Sequence, residues 1–256
     1  MTKTLDRWLP SLTLTLWGSV LLYFFYSGRL SAFLHPSFRP GVMIAGVVLL
    51  ILAAAVAIGG SASCCEEEAC GHSVARLTSG KLLAFGVLIL PMTMAFRHSQ
   101  DGFGMTAIEN RGVIMDAAAM GGGAYQGGGE FSPKQVDGRL SISVMDLLYA
   151  SAEPTLQSEF AGKPVEVIGQ LMQESESNPR GNRMKLIRMY MSCCAADARP
   201  VGALVEFSTL PPDLPELSWV KVTGVAGFPM EGGRNLAVIK VDGIEPTAAP
   251  DESMLY

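Results

Sequence analysis

The chain has 256 residues, of which 49% are hydrophobic and only 17% are charged, and its net charge is −5. A mean hydropathy of +0.30 is unusual for a soluble protein. The acidic balance also argues against a nucleic-acid-binding protein, which needs a basic face. Because the apolar residues are concentrated in roughly the first hundred positions, the composition predicts an N-terminal membrane part and a more polar C-terminal domain.

Two apolar runs near the N-terminus have the length of membrane-spanning helices. Residues 8–27 are twenty positions without a charge, enough to cross a hydrocarbon core about 30 Å thick. A cleaved signal peptide is the alternative, but the run is long for one and no small-residue cleavage site precedes Gly28. Residues 41–62 are rich in glycine and alanine, which lets helices approach closely in lipid. The short connection through His35 and Pro36 predicts an antiparallel hairpin.

A third apolar run, residues 82–96, is shorter and contains Pro91. By length alone it could equally be a buried or interfacial segment. Lys81 and Arg97 flank it and can extend toward the headgroups, so we predict a third span over residues 81–97. Three crossings put the C-terminal domain on the side opposite the N-terminus. We expect that side to be extracytoplasmic, because no long segment precedes the first span.

The connection between the second and third runs holds the densest group of metal-ligand residue types in the chain, namely Cys64, Cys65, Cys70 and His72. Thiolates and imidazole are ligands of zinc and copper(I). A soft-metal site is therefore one interpretation of this loop. The spacing is not that of a zinc finger, so a reduced juxtamembrane loop with incidental or acylated cysteines is the other.

Residues 101–132 are predicted to be a flexible linker. Six glycines fall within the nine residues 121–129, and such a tract cannot form a stable helix or strand. A phosphate-binding loop is the alternative, but no Gly-Lys-Ser/Thr sequence follows the glycines. We therefore expect a soluble domain to begin after this tract, at residue 133.

From residue 133 to residue 246 the pattern is that of β-strands. The predicted strands are residues 165–171, 184–192, 201–207, 219–225 and 236–241. In the fourth of these, Trp219 lies on the opposite face from Val220 and Val222. The stretch 140–150 is either a short strand or a helix.

Five strands of this length predict a small OB-like barrel, with a β-sandwich as the alternative. Gly169 and Gly224 lie where the strands of such a barrel bend tightly. The last ten residues, 247–256, are predicted to be a disordered tail. The expected fold is thus an α+β membrane protein, with three N-terminal transmembrane helices followed by an all-β OB-like domain.

A cysteine doublet, Cys193 and Cys194, ends the second predicted strand, and Asp197 follows three residues later. Neighbouring strand residues point to opposite faces, so both sulfurs reach one target only if the chain turns there. Three roles remain open: a soft-metal site with Asp197 as oxygen ligand or as the residue that fixes the turn, a switching vicinal disulfide, and a buried pair. Every histidine lies before residue 100. A Cys-His catalytic pair in the β domain is therefore excluded, and we predict no enzyme.

The basic residues of the β domain do not predict a nucleic-acid interface. Arg180, Arg183, Lys185 and Arg188 form a local patch. No aromatic pair alternates with them, and stacking on aromatic rings is what such a domain needs in order to bind bases. We therefore predict no nucleic-acid partner.

The sequence Cys-Cys-Ala-Ala-Asp-Ala-Arg-Pro-Val-Gly at 193–202, followed by Trp-Val-Lys-Val-Thr-Gly at 219–224, resembles the YcgQ-like family of permease subunits. Two spans joined by a loop with Gly-Arg-Leu at 28–30 and His-Pro at 35–36 also match that family. The resemblance implies a small membrane subunit that works with a larger polytopic permease on an inorganic ion.

A partner is also expected on physical grounds. Three spans without an intramembrane charge do not form a pathway for a polar substrate. The expected partners are the lipid bilayer and the larger permease subunit, and the only cofactor we predict is zinc or another soft metal ion. The alternative is a membrane-anchored thiol redox protein or metal sensor without a transport role.

Overall fold

A computed structural model of the chain describes residues 2–59, 79–98, 103–120, 134–176 and 178–256. The chain divides into two compact units, Met1–Asp101 and Gly102–Tyr256. The described residues combine α-helices with a large β-sheet, so the fold is mixed α+β. Short 3-10 helices form at Arg29–Ala32, Pro36–Phe38 and Ala117–Met120.

The first unit begins with two apolar helices, α1 (Thr2–Tyr26) and α2 (Arg39–Ile58). Each contains a stretch long and apolar enough to cross a membrane, and only 17% and 11% of those stretches are buried. Large side chains such as Ile51 and Ile58 are exposed. So much open apolar surface indicates association with a membrane. The two predicted N-terminal apolar helices are confirmed.

Small residues bring α1 and α2 into direct contact. A Cβ atom added at Gly18 would lie 2.9 Å from the carbonyl oxygen of Gly46 on the facing helix. Near the other end of the pair, the Ser11 hydroxyl donates to the Ala53 carbonyl at 2.9 Å. The glycines and alanines predicted to permit close packing in lipid thus do so within the hairpin.

A third helix, α3 (Ser79–His98), covers the third predicted span. In the described part of the chain only two helices, Trp8–Tyr26 and Pro36–Ile58, are apolar enough over the required length, and α3 is not one of them. Its apolar run is short and is bounded by Lys81 and Arg97. The three-span arrangement is therefore not established by the fold.

The second unit starts inside the stretch predicted to be a flexible linker. α4 (Met105–Arg111) forms there, and its Ile108 has no exposed surface. Ile114 forms a parallel bridge with Val201. The linker prediction is therefore wrong for this part. Ile108 and Ile114 pack against the β domain and order the segment, although a glycine tract follows it. The tract itself lies outside the described residues.

Ten strands form in the described part of the second unit: β1 (Lys134–Val136), β2 (Arg139–Ser141), β3 (Pro164–Gln173), β4 (Arg183–Tyr190), β5 (Arg199–Glu206), β6 (Trp219–Gly227), β7 (Met230–Glu231), β8 (Arg234–Asn235), β9 (Val238–Pro246) and β10 (Met254–Leu255). The five predicted strands correspond to β3, β4, β5, β6 and β9. On β6, Val220 and Val222 are fully buried and Trp219 is half-buried, so the predicted alternation is confirmed.

Eight of these strands share one sheet in the order β1-β2-β3-β6-β9-β5-β4-β10, while β7 and β8 form a separate hairpin. β3 also pairs with β4, so the pairings run from β3 through β6, β9, β5 and β4 back to β3. The β5–β9 pairing is parallel and the others in this cycle are antiparallel. The sheet is larger than the predicted five-stranded domain and carries helices, so the domain is not all-β.

Gly169 and Gly224 lie where strands approach most closely. A Cβ atom at Gly169 would lie 2.8 Å from Leu186 Cγ, and one at Gly224 would collide with the Lys240 carbonyl oxygen. The register of β6 on β9 shifts between Thr223 and Gly224. Side chains at these two positions would force neighbouring strands apart, which is why glycine stands there.

Two helices precede the long strands, α5 (Val144–Ala152) and α6 (Pro154–Phe160). The ambiguous stretch 140–150 is thus mainly helical. Its helix begins with a capping box, in which Ser143 and Asp146 satisfy each other's backbone N–H groups. The helices pack on the sheet, and the core contains the fully buried residues Leu147, Leu148, Phe160, Val165, Leu171, Leu186 and Ile239.

The C-terminal tail is ordered, which contradicts the predicted disorder. β10 pairs in parallel with the end of β4, and Met254 is buried. The guanidinium of Arg188 donates to the carbonyl oxygens of Ser253 at 3.2 Å and Glu252 at 2.7 Å. These long-range backbone contacts order the tail.

Candidate metal centre

The cysteine doublet lies on the turn between β4 and β5. β4 ends at Tyr190, two residues before the predicted end, and β5 begins at Arg199. Cys193 and Cys194 are therefore turn residues, and the alternation of strand side chains does not separate them. Both are free thiols, with Cys193 exposed and Cys194 half-buried. This exposure does not fit a buried packing pair.

The turn brings together the three residues that the sequence singled out. The Sγ atoms of Cys193 and Cys194 are 3.7 Å apart. These sulfurs and a carboxylate oxygen of Asp197 all lie within 4.8 Å of one another. Among the described residues, this is the group of three or more side chains whose ligand atoms converge closely enough to hold a metal ion.

Asp197 organises the turn through the backbone that precedes it. Its Oδ1 accepts the N–H of Ser192 at 3.2 Å, and its Oδ2 accepts those of Cys193 at 2.8 Å and Cys194 at 3.4 Å. A carboxylate offers about four acceptor positions. Three backbone donors occupy most of these positions, so Asp197 fixes the turn and keeps one position for a further contact.

The same contacts set the charge state of the turn. The hydrogen bond to Asp197, followed by that with Cys194, raises the pKa of Cys193 to about 11. Partial burial would raise the pKa of Asp197, but the Cys193 thiol and three backbone N–H groups together outweigh it and lower that pKa. At neutral pH the turn thus holds a carboxylate beside a protonated thiol.

Arg111 at the end of α4 is a further residue of this turn, and the sequence did not reveal it. Its Nη1 donates to the carbonyl oxygens of Ala195 at 3.2 Å and Ala198 at 2.5 Å. Its Cζ lies 4.9 Å from the centre of the Phe103 ring, in cation–π contact. An isolated arginine in a presumed linker carries no local pattern that predicts this contact.

Comparison with protein-family models assigns this chain to a family. Residues 9–114 match the DUF1980 N-terminal domain, and residues 125–256 match the DUF1980 C-terminal domain. The chain belongs to the DUF1980 family. No curated protein matches it. Among solved structures, one described as an aspartyl-tRNA synthetase of Leishmania major Friedlin aligns at 14% identity, covering 46% of this chain and 22% of the synthetase, with a TM-score of 0.28. So low a score gives no basis for comparing fold or function.

The candidate ligands are divided between the two DUF1980 domains. Cys193, Cys194 and Asp197 lie in the C-terminal domain. Cys64, Cys65, Cys70 and His72 lie in the N-terminal domain and outside the described residues. Arg111 also falls within the N-terminal family match, yet it contacts the turn of the C-terminal domain.

Three of the four residues of the basic patch, all but Arg180, have intramolecular partners among the described residues. Arg183 pairs with Glu206 at 2.7 Å and with Glu231 at 2.9 Å. Lys185 pairs with the buried Glu174 at 3.1 Å. Together with Arg188, which holds the C-terminal tail, these residues do not form an open basic face.

Proposed function

We propose that this DUF1980 chain is the small membrane subunit of a two-component permease and that it handles a soft metal ion at the Cys193–Cys194 turn. The main support for the metal site is that two sulfurs and one carboxylate oxygen lie within 4.8 Å of one another on an exposed turn. The resemblance to the YcgQ-like family and the two exposed apolar helices support the membrane-subunit part of the proposal.

The chemistry of the turn suits zinc or another thiophilic cation. Thiolate sulfur is the preferred donor for such ions. Two sulfurs leave coordination positions open for water or for a ligand on a partner, as in sites where a metal is exchanged or reacts. Because the Cys193 pKa is raised to about 11, binding at neutral pH must displace a proton, and affinity rises with pH.

A thiol redox role is the alternative, and the 3.7 Å separation of the sulfurs is the observation in its favour. Reactive redox thiols, however, have a lowered pKa, because the thiolate is the nucleophile. Cys193 shows the opposite shift. Metal binding also needs a thiolate, so the preference for it rests on geometry, namely the convergence of both sulfurs with a carboxylate oxygen of Asp197 within 4.8 Å.

The proposal includes two finer points of architecture. α3 is a third transmembrane helix, with Lys81 and Arg97 near its two ends; its twenty residues support this. The five long strands form an OB-like barrel; the return of their pairings from β4 to β3 supports this. A larger polytopic subunit supplies the pathway that spans of this composition lack.

The full-length chain in detergent, titrated with Co²⁺ as a coloured substitute for Zn²⁺, tests the metal site. The loop ligands are first removed in a background variant carrying Cys64→Ser, Cys65→Ser, Cys70→Ser and His72→Ala. We expect this variant to retain a thiolate-to-cobalt charge-transfer band.

Adding Cys193→Ser and Cys194→Ser to that background is expected to abolish the band. Ser192→Ala is the matched control, because it alters the same turn but keeps the backbone N–H that Asp197 accepts. A band that survives both cysteine substitutions would refute the proposed site.

The permease role is tested separately in cells. We expect the doubly substituted variant to be inserted normally but to lose ion uptake that depends on this chain. Chemical crosslinking in the membrane should join the wild-type chain to a polytopic protein. If ion uptake is unchanged by Cys193→Ser with Cys194→Ser, the transport role is refuted, even if the turn binds metal in vitro.

A further inference from the structure

We propose that Arg111 is a positioning residue of the dithiol turn, and that docking of the segment 103–116, here called the arm, is coupled to metal binding at that turn. The inference rests on the proposed metal site and adds to it a residue and a regulatory element. The arm lies within the second unit, and the chain enters it after α3 (Ser79–His98).

The first contact of the arm is with the turn itself. Arg111 donates to the carbonyl oxygens of Ala195 and Ala198, which stand on either side of Asp197. One guanidinium thus ties together the 195–196 and 198–199 peptide groups, which bracket Asp197 in the turn. Phe103 holds the guanidinium from the other side, with its ring centre 4.9 Å from Cζ.

The second contact is with β5, directly after the turn. The Ile114 N–H donates to the Pro200 carbonyl at 2.8 Å, and the Gly202 N–H donates to the Ile114 carbonyl at 2.9 Å. A Cβ atom at Gly202 would lie 2.7 Å from Met115 Sδ and 3.0 Å from Val113 Cγ1. The arm therefore packs against Gly202, the glycine of β5, where the missing side chain leaves space for Met115 and Val113.

These two contacts make the arm and the turn a single mechanical unit. Ile108, which has no exposed surface, also anchors the arm. A displacement of the arm must release the carbonyls at 195 and 198, and a rearrangement of the turn must pull on Arg111. Coupling of this kind is reciprocal. If the docked arm favours metal binding, bound metal favours the docked arm to the same extent.

The affinity of the full-length chain for Co²⁺ tests the first half of the proposal. In the background that lacks the loop ligands, Arg111→Ala is expected to weaken Co²⁺ binding by about tenfold, at the low end for loss of a supporting contact around a metal site. Arg111→Lys should recover part of the loss, because an ammonium can still donate to a carbonyl. Arg180→Ala is the matched control on an exposed loop.

Trypsin cleavage tests the second half, because the chain offers two comparable bonds, Arg111–Gly112 in the arm and Arg180–Gly181 in the loop between β3 and β4. In the same background, saturating Zn²⁺ is expected to slow cleavage at Arg111 several-fold relative to cleavage at Arg180. Cys193→Ser with Cys194→Ser should abolish that protection. The ratio of the two rates corrects for any effect of the metal on the protease.

The outcomes separate this inference from the proposed function. If the cysteine substitutions leave Co²⁺ binding intact, the metal site itself is refuted and the coupling with it. If those substitutions abolish binding while Arg111→Ala binds Co²⁺ as the wild type does and Zn²⁺ leaves the cleavage ratio unchanged, the metal site stands and the coupling is overturned. A loss in Arg111→Ala with no recovery in Arg111→Lys and a lowered melting temperature in the absence of metal would also overturn it, as a purely structural effect.

Discussion

Asp197 shows how one side chain defines the geometry and the charge state of the dithiol turn. Its carboxylate accepts three successive backbone N–H groups, from Ser192 to Cys194. The same carboxylate is the largest cause of the raised pKa of Cys193. A metal ion at this turn replaces the thiol proton, so the carboxylate that favours the protonated thiol also attracts the cation that displaces it.

Asp197→Asn removes the charge but keeps an oxygen that can accept one of the backbone donors. The pKa of Cys193 is expected to fall from about 11 toward the ordinary thiol value of about 8.5, because the group that raises it is lost. The pH dependence of iodoacetamide alkylation of Cys193, measured in a background with Cys64, Cys65, Cys70 and Cys194 replaced by serine, reports the shift as faster alkylation at a given pH. Ser192→Ala should leave the profile in place, and an unmoved midpoint in Asp197→Asn would argue against this account.

At the scale of elements, the arm completes the surface of β5. Ile114 supplies a bridge to Val201, and Gly202 leaves the space in which Met115 and Val113 lie. This arrangement explains why the arm is folded although it directly precedes a glycine tract. Local backbone preference is weak here, and the burial of Ile108 outweighs it.

Gly202→Val is expected to displace the arm from a position outside the dithiol turn. The new side chain would occupy the positions of Met115 Sδ and Val113 Cγ1, which lie 2.7 and 3.0 Å from its Cβ. Cleavage by trypsin at Arg111 should accelerate several-fold in the metal-free protein. Gly227→Val is the control, since the nearest atom to a Cβ there is 3.9 Å away. Equal cleavage rates in the two variants would contradict the docking described for the arm.

At the scale of the molecule, the second unit begins at Gly102 and therefore includes the arm. A fragment 103–256 is expected to be a soluble monomer. A fragment that starts at Ser132 should be less stable by about 1.5–3 kcal/mol, the contribution of one fully buried isoleucine side chain, because Ile108 is lost. Thermal unfolding followed by circular dichroism measures the difference. Identical melting temperatures would mean that the arm contributes nothing to stability.

Cysteine labelling tests the expectation that the C-terminal domain lies on the extracytoplasmic side of the membrane. In a variant with Cys64, Cys65 and Cys70 replaced by serine, the two remaining cysteines are Cys193 and Cys194 of the dithiol turn. A membrane-impermeant maleimide should label the exposed Cys193 in intact cells if the C-terminal domain is extracytoplasmic. Labelling only after lysis would put that domain in the cytoplasm.

The sequence by itself determined the elements whose cause is local. An apolar, uncharged run of twenty residues is long enough to cross a membrane as a helix, and the alternation in Trp219–Gly227 gives a strand with one buried face. The residue types at 193, 194 and 197 likewise indicated thiol or metal chemistry. Their convergence needed only that the chain turn within five residues.

Only the tertiary structure decided which distant residues support that turn. Arg111 meets the carbonyls of Ala195 and Ala198 across 84 and 87 positions of sequence, and the tail reaches Arg188 across 64. Such contacts leave no periodicity in the chain, because they depend on where the sheet brings the segments and not on the residues beside them. For this reason the prediction of a flexible linker failed for the arm and the prediction of a disordered tail failed, since both segments gain their order from burial and from hydrogen bonds to β4, β5 and the turn between them.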